Sequence, residues 1–469
     1  MHTWPLRFRE LGDAVVMSNE AGAWFSASPE FVDRYASARL TEEDERFLLA
    51  SGMAFEKVGD LSFTSHAYRW SVRRTGANRS IDYVILVPTL RCNLSCSYCQ
   101  VSRAAKNATG YDWDEETLAA VLRFLDGLEA ERVQIEFQGG EPLLRLDLLN
   151  AVRNFCRRRF KQSRFVVCSN FQVVDEAIWA FFDADDTQLS TSIDGDVGTH
   201  TRQRTGSDAA TAAFLGNLEA FVGRFGAGRA SALPTIDPTS PPDLEELLST
   251  YGRLGFQSIY LRPINRQGFA RRRPEADGEL QAWNALHGAF IDRLVELNFG
   301  RDEVLEEYYF SHLLRRILGR GANGHVDIRN PNPVGTNYVV VDYDGVLYPT
   351  DEARMMSRVG QIDLSVGNVR DGLDYSTVDQ LNAASFNDLD PDCQHCAYQP
   401  FCGVDLIDDI SRYGRVDLPR HQTYFCRRHL ALFDKAFEMI TSPDPKIQHS
   451  LSKWTGVEHW PAEFREVRG

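Results

Sequence analysis

The chain has no long hydrophobic run, no excess of basic charge and no internal repeat, and each absence removes a class of function. Its longest apolar stretches, such as Tyr83 to Val87, are strand-sized, far below the ~20 residues that span a bilayer, so no membrane span is expected. Lys and Arg number 51 against 66 Asp and Glu, a formal charge of −15. That balance argues against a broad, sequence-independent nucleic-acid surface, which needs clustered cations along the phosphate path. The stretch Met1-His-Thr-Trp-Pro-Leu-Arg-Phe-Arg-Glu10 lacks a basic start followed by an apolar core, so no secretory signal is read there and a cytoplasmic location is expected. What remains is 469 residues, 43% of them apolar, enough for about three domains with buried cores. There are also nine cysteines. In a cytoplasmic chain these point to metal or redox chemistry rather than a disulfide framework.

Residues 1–75 read as a small α+β unit. Short strands are expected over Leu6 to Arg9, Ala14 to Ser18 and Ala23 to Ala27, followed by two helices that begin near Pro29 and Glu42 with Ser28 and Thr41 as N-caps. A polar stretch, Arg73 to Arg79, separates this unit from the next. From Ile81 buried strands alternate with amphipathic helices. The strands are read at Tyr83 to Val87, Val133 to Phe137, Arg164 to Val167, Gln188 to Ile193, Ala230 to Ile236 and Ser258 to Leu261. Helices fall between most of them, over Glu115 to Leu128, Asp175 to Phe182 and Pro242 to Leu254. The alternation predicts a parallel sheet with right-handed crossovers, an α/β partial barrel of about six units over residues 80–270. Ligands then gather at the C-terminal ends of the strands. Residues 271–330 read as a helical bridge, with helices over Leu280 to Leu297 and Asp302 to Leu318 and a Gly/Asn/Pro-rich loop from Gly321 to Gly335. Residues 331–469 hold a hairpin around Tyr343-Asp-Gly345 and a cysteine-rich tail. The basic run Arg157, Arg158, Arg159, Lys161 and Arg164 reads as a solvated helix face, or as a docking patch for an acidic partner.

The cysteine spacing carries the chemistry. Cys92, Cys96 and Cys99 lie on a loop after a buried strand, Arg91-Cys-Asn-Leu-Ser-Cys-Ser-Tyr-Cys99. Such spacing lets one loop wrap a cuboidal iron-sulfur cluster with three thiolates on three irons, leaving the fourth iron open. A zinc site would close with a fourth Cys or His nearby, and none follows. The open iron can bind the amino and carboxylate groups of S-adenosylmethionine (SAM) and pass an electron to its sulfonium. Homolysis then gives a 5′-deoxyadenosyl radical able to take hydrogen from an unactivated carbon. With an aromatic residue just before the third cysteine, this motif resembles the radical SAM superfamily. The resemblance gives roles to residues at the strand ends. Gly139 and Gly140 allow close backbone approach, and Glu141 accepts from the methionine ammonium. Ser169 and Asn170, and Ser192 and Asp194, are placed for ribose hydroxyls or the methionine carboxylate. His200 and Arg204 stand where similar maturases carry a His-Asp-x-x-Arg element, with Thr201 in place of the Asp. Tyr98 packs either on the adenine or in the core.

Cys393-x-x-Cys396, then Cys402 and Cys426, reads as a zinc ribbon or a second iron-sulfur site. Joined to the radical SAM half, the tail resembles the SPASM extension of peptide-modifying members, which usually holds two auxiliary clusters. Leu406 and Thr350 stand where that pattern has further cysteines, and an earlier one would fall near Asn332. By resemblance, all the missing thiols belong to the first auxiliary cluster. The resemblance therefore implies two 4Fe-4S clusters in all, one binding SAM through Cys92, Cys96 and Cys99, and one auxiliary on Cys393, Cys396, Cys402 and Cys426. Cys156 and Cys168 are expected to be ordinary buried thiols.

The segments Tyr83 to Cys92, Cys99 to Arg103, Tyr348 to Met355, Cys396 to Cys402 and Phe425 to His429 look like the His-Xaa-Ser system radical SAM maturases, a group similar to enzymes that form cyclophanes in ribosomally made peptides. That resemblance implies abstraction of a side-chain Cβ hydrogen from a precursor peptide and formation of an intramolecular C–C crosslink. A radical SAM oxidase or epimerase of a side chain would share every motif. The implied partners are a precursor peptide with a leader and an electron donor such as a flavodoxin or ferredoxin. The N-terminal unit resembles leader-recognition elements, in which an extended leader adds a strand to a sheet edge. Asp351, Glu352 and Arg354 are expected to fill the place of the absent cluster and to hold the peptide or relay a proton, or else to end a salt-bridged hairpin.

Overall fold

A computed structural model of the chain describes residues 1–75, 80–273, 276–319, 333–383 and 385–469. Its main sheet has seven strands in the order Ala230–Ala232, Thr187–Thr191, Gln162–Cys168, Arg132–Phe137, Tyr83–Leu86, Tyr338–Val341, Leu347–Tyr348. All neighbours are parallel except the last pair. The central strands are apolar on both faces, as a parallel sheet covered on both sides requires: Val84 and Leu86, and Val339 to Val341, are all buried. The intervening helices Glu115–Asp126, Glu176–Phe182, Asp208–Phe225 and Leu244–Arg253 begin at side-chain N-caps Asp114, Asp175, Ser207 and Asp243. These short polar residues fix where each strand-to-helix loop ends, and so where the strand tips lie.

Two expected strands are interrupted. Ala230 to Ile236 splits at Leu233-Pro234, because proline has no N–H to give the ladder, and continues as Thr235–Ile236 paired with Arg262–Pro263. Ser258 to Leu261 shortens to Ser258–Ile259, paired with Glu306–Glu307, so the bridge helix expected from Asp302 starts instead at Tyr308. Glu307 causes that start, since its carboxylate accepts from the Phe310 N–H at 2.6 Å as an N-cap. The hairpin around Tyr343 forms as expected, but its first strand pairs with Tyr83–Leu86, with Val339 opposite Val84, so residue 331 does not divide two sheets. Most of the Gly321 to Gly335 loop lies outside the described residues, as does Asn332.

The N-terminal unit has its three antiparallel strands at Arg7–Leu11, Ala14–Ser18 and Trp24–Ala27. Ser28 caps Pro29–Ala36, and Thr41 with Asp44 forms a capping box on Glu42–Ala50. A third helix, Leu61–Thr75, runs into the stretch read as a linker. The edge beside Trp24–Ala27 is not open: Val467–Arg468 pairs with it in parallel, and Arg468 also binds Glu43 at 3.0 Å. The unit packs on the cysteine-rich region through Ser18 Oγ on the Ala397 carbonyl (2.6 Å), Arg9 on Asp434 (2.6 Å) and Trp24 edge-on to Phe437 (5.0 Å). Within the basic run, Arg157 pairs with Asp186, Arg159 with Asp126 and Lys161 with Glu131. Those charges serve the fold's own helix–sheet seams.

Candidate active site

The first cysteine loop is held at three points. Cys92 sits on the short strand Arg91–Cys92, paired with Ala104–Ala105, and Arg91 anchors its base on Asp112 at 2.6 Å. The Ser97 N–H donates to the Gln203 carbonyl (2.9 Å), and the Phe269 N–H donates to the Cys99 carbonyl (3.0 Å). Gly268, at φ +56°, lets this last contact form, since a Cβ there would lie 1.7 Å from the Gln100 carbonyl oxygen. The three sulfurs are close enough to influence one another. Burial pushes the Cys92 thiol up to about 12, with Glu141, Cys96 and Cys99 adding to the rise. Burial also raises Cys96, opposed by the Arg204 cation. The cost of ionising Cys92 and Cys96 suits a cationic iron cluster, whose charge would offset the desolvation of their thiolates.

The glycines of Gln138-Gly-Gly-Glu141 serve the chain itself. A Cβ on Gly139 would stand 2.3 Å from the Thr89 carbonyl oxygen, and one on Gly140 2.3 Å from that of Arg91. Gly140 and Glu141 then donate their N–H groups to Thr89 and Arg91 at 3.0 and 2.8 Å, fixing this strand end to the cysteine loop. Glu141 is buried, and its carboxylate accepts from the Asn170 N–H (2.8 Å), the Ser169 hydroxyl (2.9 Å) and the Leu143 N–H (3.1 Å). Burial outweighs these donors and raises Glu141 to about 7. The Asn170 amide faces the cluster loop, 2.8 Å from Asn93 Oδ1 and 3.8 Å from Cys92 Sγ.

Asp194, expected to meet ribose, is instead fully buried. It accepts from Arg204 Nε at 2.7 Å, from the Tyr98 hydroxyl and from the Thr235 N–H at 3.1 Å. The Arg204 guanidinium lies 5.2 Å from the Tyr98 ring centre, and that ring packs with Ile264 and Ala270. Tyr98 thus has the core position among its two readings, with its hydroxyl committed to Asp194. A π-helical turn, Thr201–Thr205, brings Arg204 to this pair and presents the Gln203 carbonyl to the cysteine loop. His200 stacks on Phe214 at 4.8 Å, and burial lowers it to about 4, so it is neutral. Ser192 follows its strand half-buried at the sheet's C-terminal edge.

The four tail cysteines surround a cavity of about 250 Å³. Cys393 and Cys396 share a 3-10 turn, the Cys402 N–H bonds the Tyr398 carbonyl at 3.0 Å, and Cys426 begins the helix Tyr424–Thr441 under the Thr423 cap. Burial raises all four thiols. A zinc ion would need its ligands converging at about 2.0–2.3 Å. A 4Fe-4S cluster would draw on the same four thiolates, and the cavity the cysteines line offers either kind of group a full ligand set.

A cleft lies between the barrel mouth and this cavity. It is lined from the barrel by Tyr260 to Pro263, Asn265 and Gln267, and from the tail by Asp408, Arg412 and Arg428. Asp405 and Phe425 line both the cleft and the cysteine cavity. Glu352 lines the cleft. Asp351 is divided from it, since it holds Arg354 at 2.7 Å, and the fully buried Arg354 also stands 3.6 Å from Asp342. Thr350, where the wider pattern has a cysteine, caps this helix by accepting from the Ala353 N–H at 3.0 Å. Cys156 is buried as expected, but Cys168 is half-buried and donates to Glu136 at 3.1 Å, beside Tyr83 and Gln138 on the same carboxylate. The sequence does carry a signal for this, because Glu136 and Cys168 alternate with apolar residues on the sheet's inner face. Gly268 and the pair Tyr309–His429, far apart in sequence, carry none.

Comparison with known proteins agrees with this geometry. Residues 86–253 match the Radical SAM superfamily. The uncharacterized protein MJ0907 of Methanocaldococcus jannaschii is 30% identical over 117 residues, a match spanning 24% of this chain and 39% of that one. Among solved structures, anSMEcpe with bound AdoMet superposes with a TM-score of 0.63 at 17% identity, over 79% of this chain and 99% of its own. Streptococcus suis SuiB bound to precursor peptide SuiA gives 0.51 at 12% identity, over 88% and 97%. The three-cysteine loop at the barrel mouth, the fold and the sequence match converge, and the chain carries a radical SAM domain over residues 86–253.

Proposed function

We propose that the chain is a radical SAM maturase of a ribosomally made precursor peptide, which abstracts a side-chain Cβ hydrogen and closes an intramolecular C–C crosslink. The observation that carries this is the cleft set between the barrel mouth and the four-cysteine cavity, with Asp405 and Phe425 as their shared wall. A substrate carbon held there would stand between residues that follow the last barrel strand and the cavity of the four cysteines, within reach of a radical source and a one-electron acceptor, and crosslinking needs both. The solved structures of similar fold point the same way, since SuiB is bound to precursor peptide SuiA and anSMEcpe to a Cp18Cys peptide.

When bound, the SAM-binding 4Fe-4S cluster would supply the electron that cleaves SAM, from a donor such as a flavodoxin or ferredoxin, and the auxiliary 4Fe-4S cluster would accept one. Cys92, Cys96 and Cys99 would hold the first, and Cys393, Cys396, Cys402 and Cys426 the second. Glu141, presented by Gly139 and Gly140 and supported by Ser169, would receive the methionine ammonium. Asn170 and Ser192, at neighbouring strand ends, would contact the SAM, while the Asp194–Arg204 pair and Tyr98 would brace the wall beside it. Glu352 would position the peptide, and Asp351 would act through Arg354.

The N-terminal unit would bind the leader by strand addition. Its edge at Trp24–Ala27 is taken by Val467–Arg468, so the leader would add along Arg7–Leu11. Co-expression with a short peptide encoded beside the chain, followed by mass and fragment mapping, tests the reading. Loss of paired hydrogens with fragmentation blocked between two residues is expected. The same loss of hydrogens with fragmentation intact at every residue would instead mark an oxidase, and an unchanged mass with an inverted residue an epimerase.

A further inference from the structure

Tyr309 and His429 join the cleft to the cysteine cavity through one hydrogen bond. Tyr309, on the helix Tyr308–Ile317, lines the cleft, with its ring stacked on Tyr260 at 5.8 Å and 5°. His429, on the helix Tyr424–Thr441, lines the cavity of the four cysteines. The Tyr309 hydroxyl meets His429 Nε2, and both residues are buried, at 4% and 1% exposure. The tautomer follows from the other ring nitrogen. His429 Nδ1 lies 2.8 Å from the Phe425 carbonyl, which can only accept, so Nδ1 carries the hydrogen and Nε2 accepts from the phenol.

We propose that Tyr309 is the proton acceptor of the crosslinking step, with its own phenolic proton passing to His429 as it takes one from the substrate. This rests on the peptide-maturation reading above. The balance is complete. The 5′-deoxyadenosyl radical takes one hydrogen atom from the peptide, the resulting carbon radical forms the new C–C bond, and the adduct must then lose one proton and one electron. The proton goes to Tyr309 Oη while the Tyr309 hydrogen moves to His429 Nε2. A 4Fe-4S cluster held by Cys393, Cys396, Cys402 and Cys426 would accept the electron. Proton and electron thus leave toward the same cavity, which limits charge separation in a buried site.

Other groups of the cleft are placed less well for this step. Arg428 lies 5.8 Å from the Tyr309 ring centre, a cation that favours an electron-rich phenol without taking a proton. Asp408 is held by Arg412 at 2.9 Å, and the carboxylate of Asp405 caps its own helix through the Asp408 N–H. His287 also lines the cleft, but its imidazole faces the buried Glu307 carboxylate at 3.6 Å.

The test uses the full chain with reconstituted clusters, and the short peptide encoded beside it. Tyr309→Phe removes one oxygen and keeps the packing. Iron content and peptide affinity are expected to stay within about twofold, while 5′-deoxyadenosine released per crosslinked peptide rises roughly a hundredfold, because abstraction continues without completion. His429→Gln should shift the ratio in the same direction by a smaller factor. With 3-fluorotyrosine at position 309, the fluorine resonance should move when the peptide is added, a readout that needs no turnover. Wild-type coupling in Tyr309→Phe, or a fluorine signal blind to the peptide, overturns the proposal. Failure of the underlying reading looks different: the wild-type chain itself would cleave SAM and leave the peptide unaltered.

Discussion

The two cysteine sites solve opposite problems. The loop of Cys92, Cys96 and Cys99 offers three thiols and is braced from outside, by Arg91 on Asp112, by the Gln203 carbonyl and by Phe269, so that one side stays open toward the strand tips. The cavity of Cys393, Cys396, Cys402 and Cys426 offers four thiols from a turn and a helix start and is closed by its own donors. An open coordination position invites a substrate, and a closed set excludes one. On the proposed function, the first site would be the reactive one and the second would store an electron or stiffen the fold.

The sharpest way to break that contrast is Cys92→Ala. SAM cleavage should fall about a thousandfold or more, and iron should drop from about eight to about four per chain, measured by 5′-deoxyadenosine release and metal analysis after anaerobic reconstitution. Cys402→Ala should lose the same amount of iron yet keep reductive SAM cleavage, with crosslinked peptide reduced at least about tenfold. Equal loss of cleavage in both variants would erase the distinction between the sites.

Asp194→Asn addresses the wall between barrel and loop. It leaves the Arg204 guanidinium buried without its carboxylate partner and should cost about 3–5 kcal/mol in denaturant unfolding. A cost below about 1 kcal/mol would move Asp194 from the wall back toward a ligand role.

Glu141 gives a pH test. Its native value near 7 lies above the unfolded one, so between the two the folded state binds more protons and stability falls as pH rises through that window. SAM affinity should move oppositely, strengthening as the carboxylate ionises through pH 7, and Glu141→Gln should flatten both dependences. Isothermal titration at three pH values and urea midpoints at the same values read the two trends. The smallest effect belongs to Thr350→Ala, which removes a helix cap where a cysteine would otherwise stand and should cost about 1 kcal/mol without changing iron content.

Much of this was legible beforehand because the signals are local. Ser28, Thr41, Asp114 and Asp175 act as caps within three residues of their own positions, and the hydrophobic alternation of Tyr83 to Val87 needs no partner to be recognised. Pro234, which cuts a strand, is equally local and was outweighed by the apolar residues around it. Asp194 reads as ligand-facing from sequence alone, which gives the order of Asp194 and Arg204 but not their direction. The π-helical turn at Thr201–Thr205 decides that direction and turns them on each other.

The sequence by itself determined which residues can do the chemistry: seven cysteines in two spacings, a glycine-glycine-glutamate at a strand tip, and an alternating α/β pattern to carry them. Spacing along the chain limits which thiols one loop can gather, so such information survives without a structure. Only the tertiary structure decided what lies between the two sites. Tyr309 and His429 are 120 residues apart, and Val467–Arg468 closes a sheet edge built from residues near the other end of the chain. Contacts over such separations are set by packing of whole elements, and no local pattern encodes them.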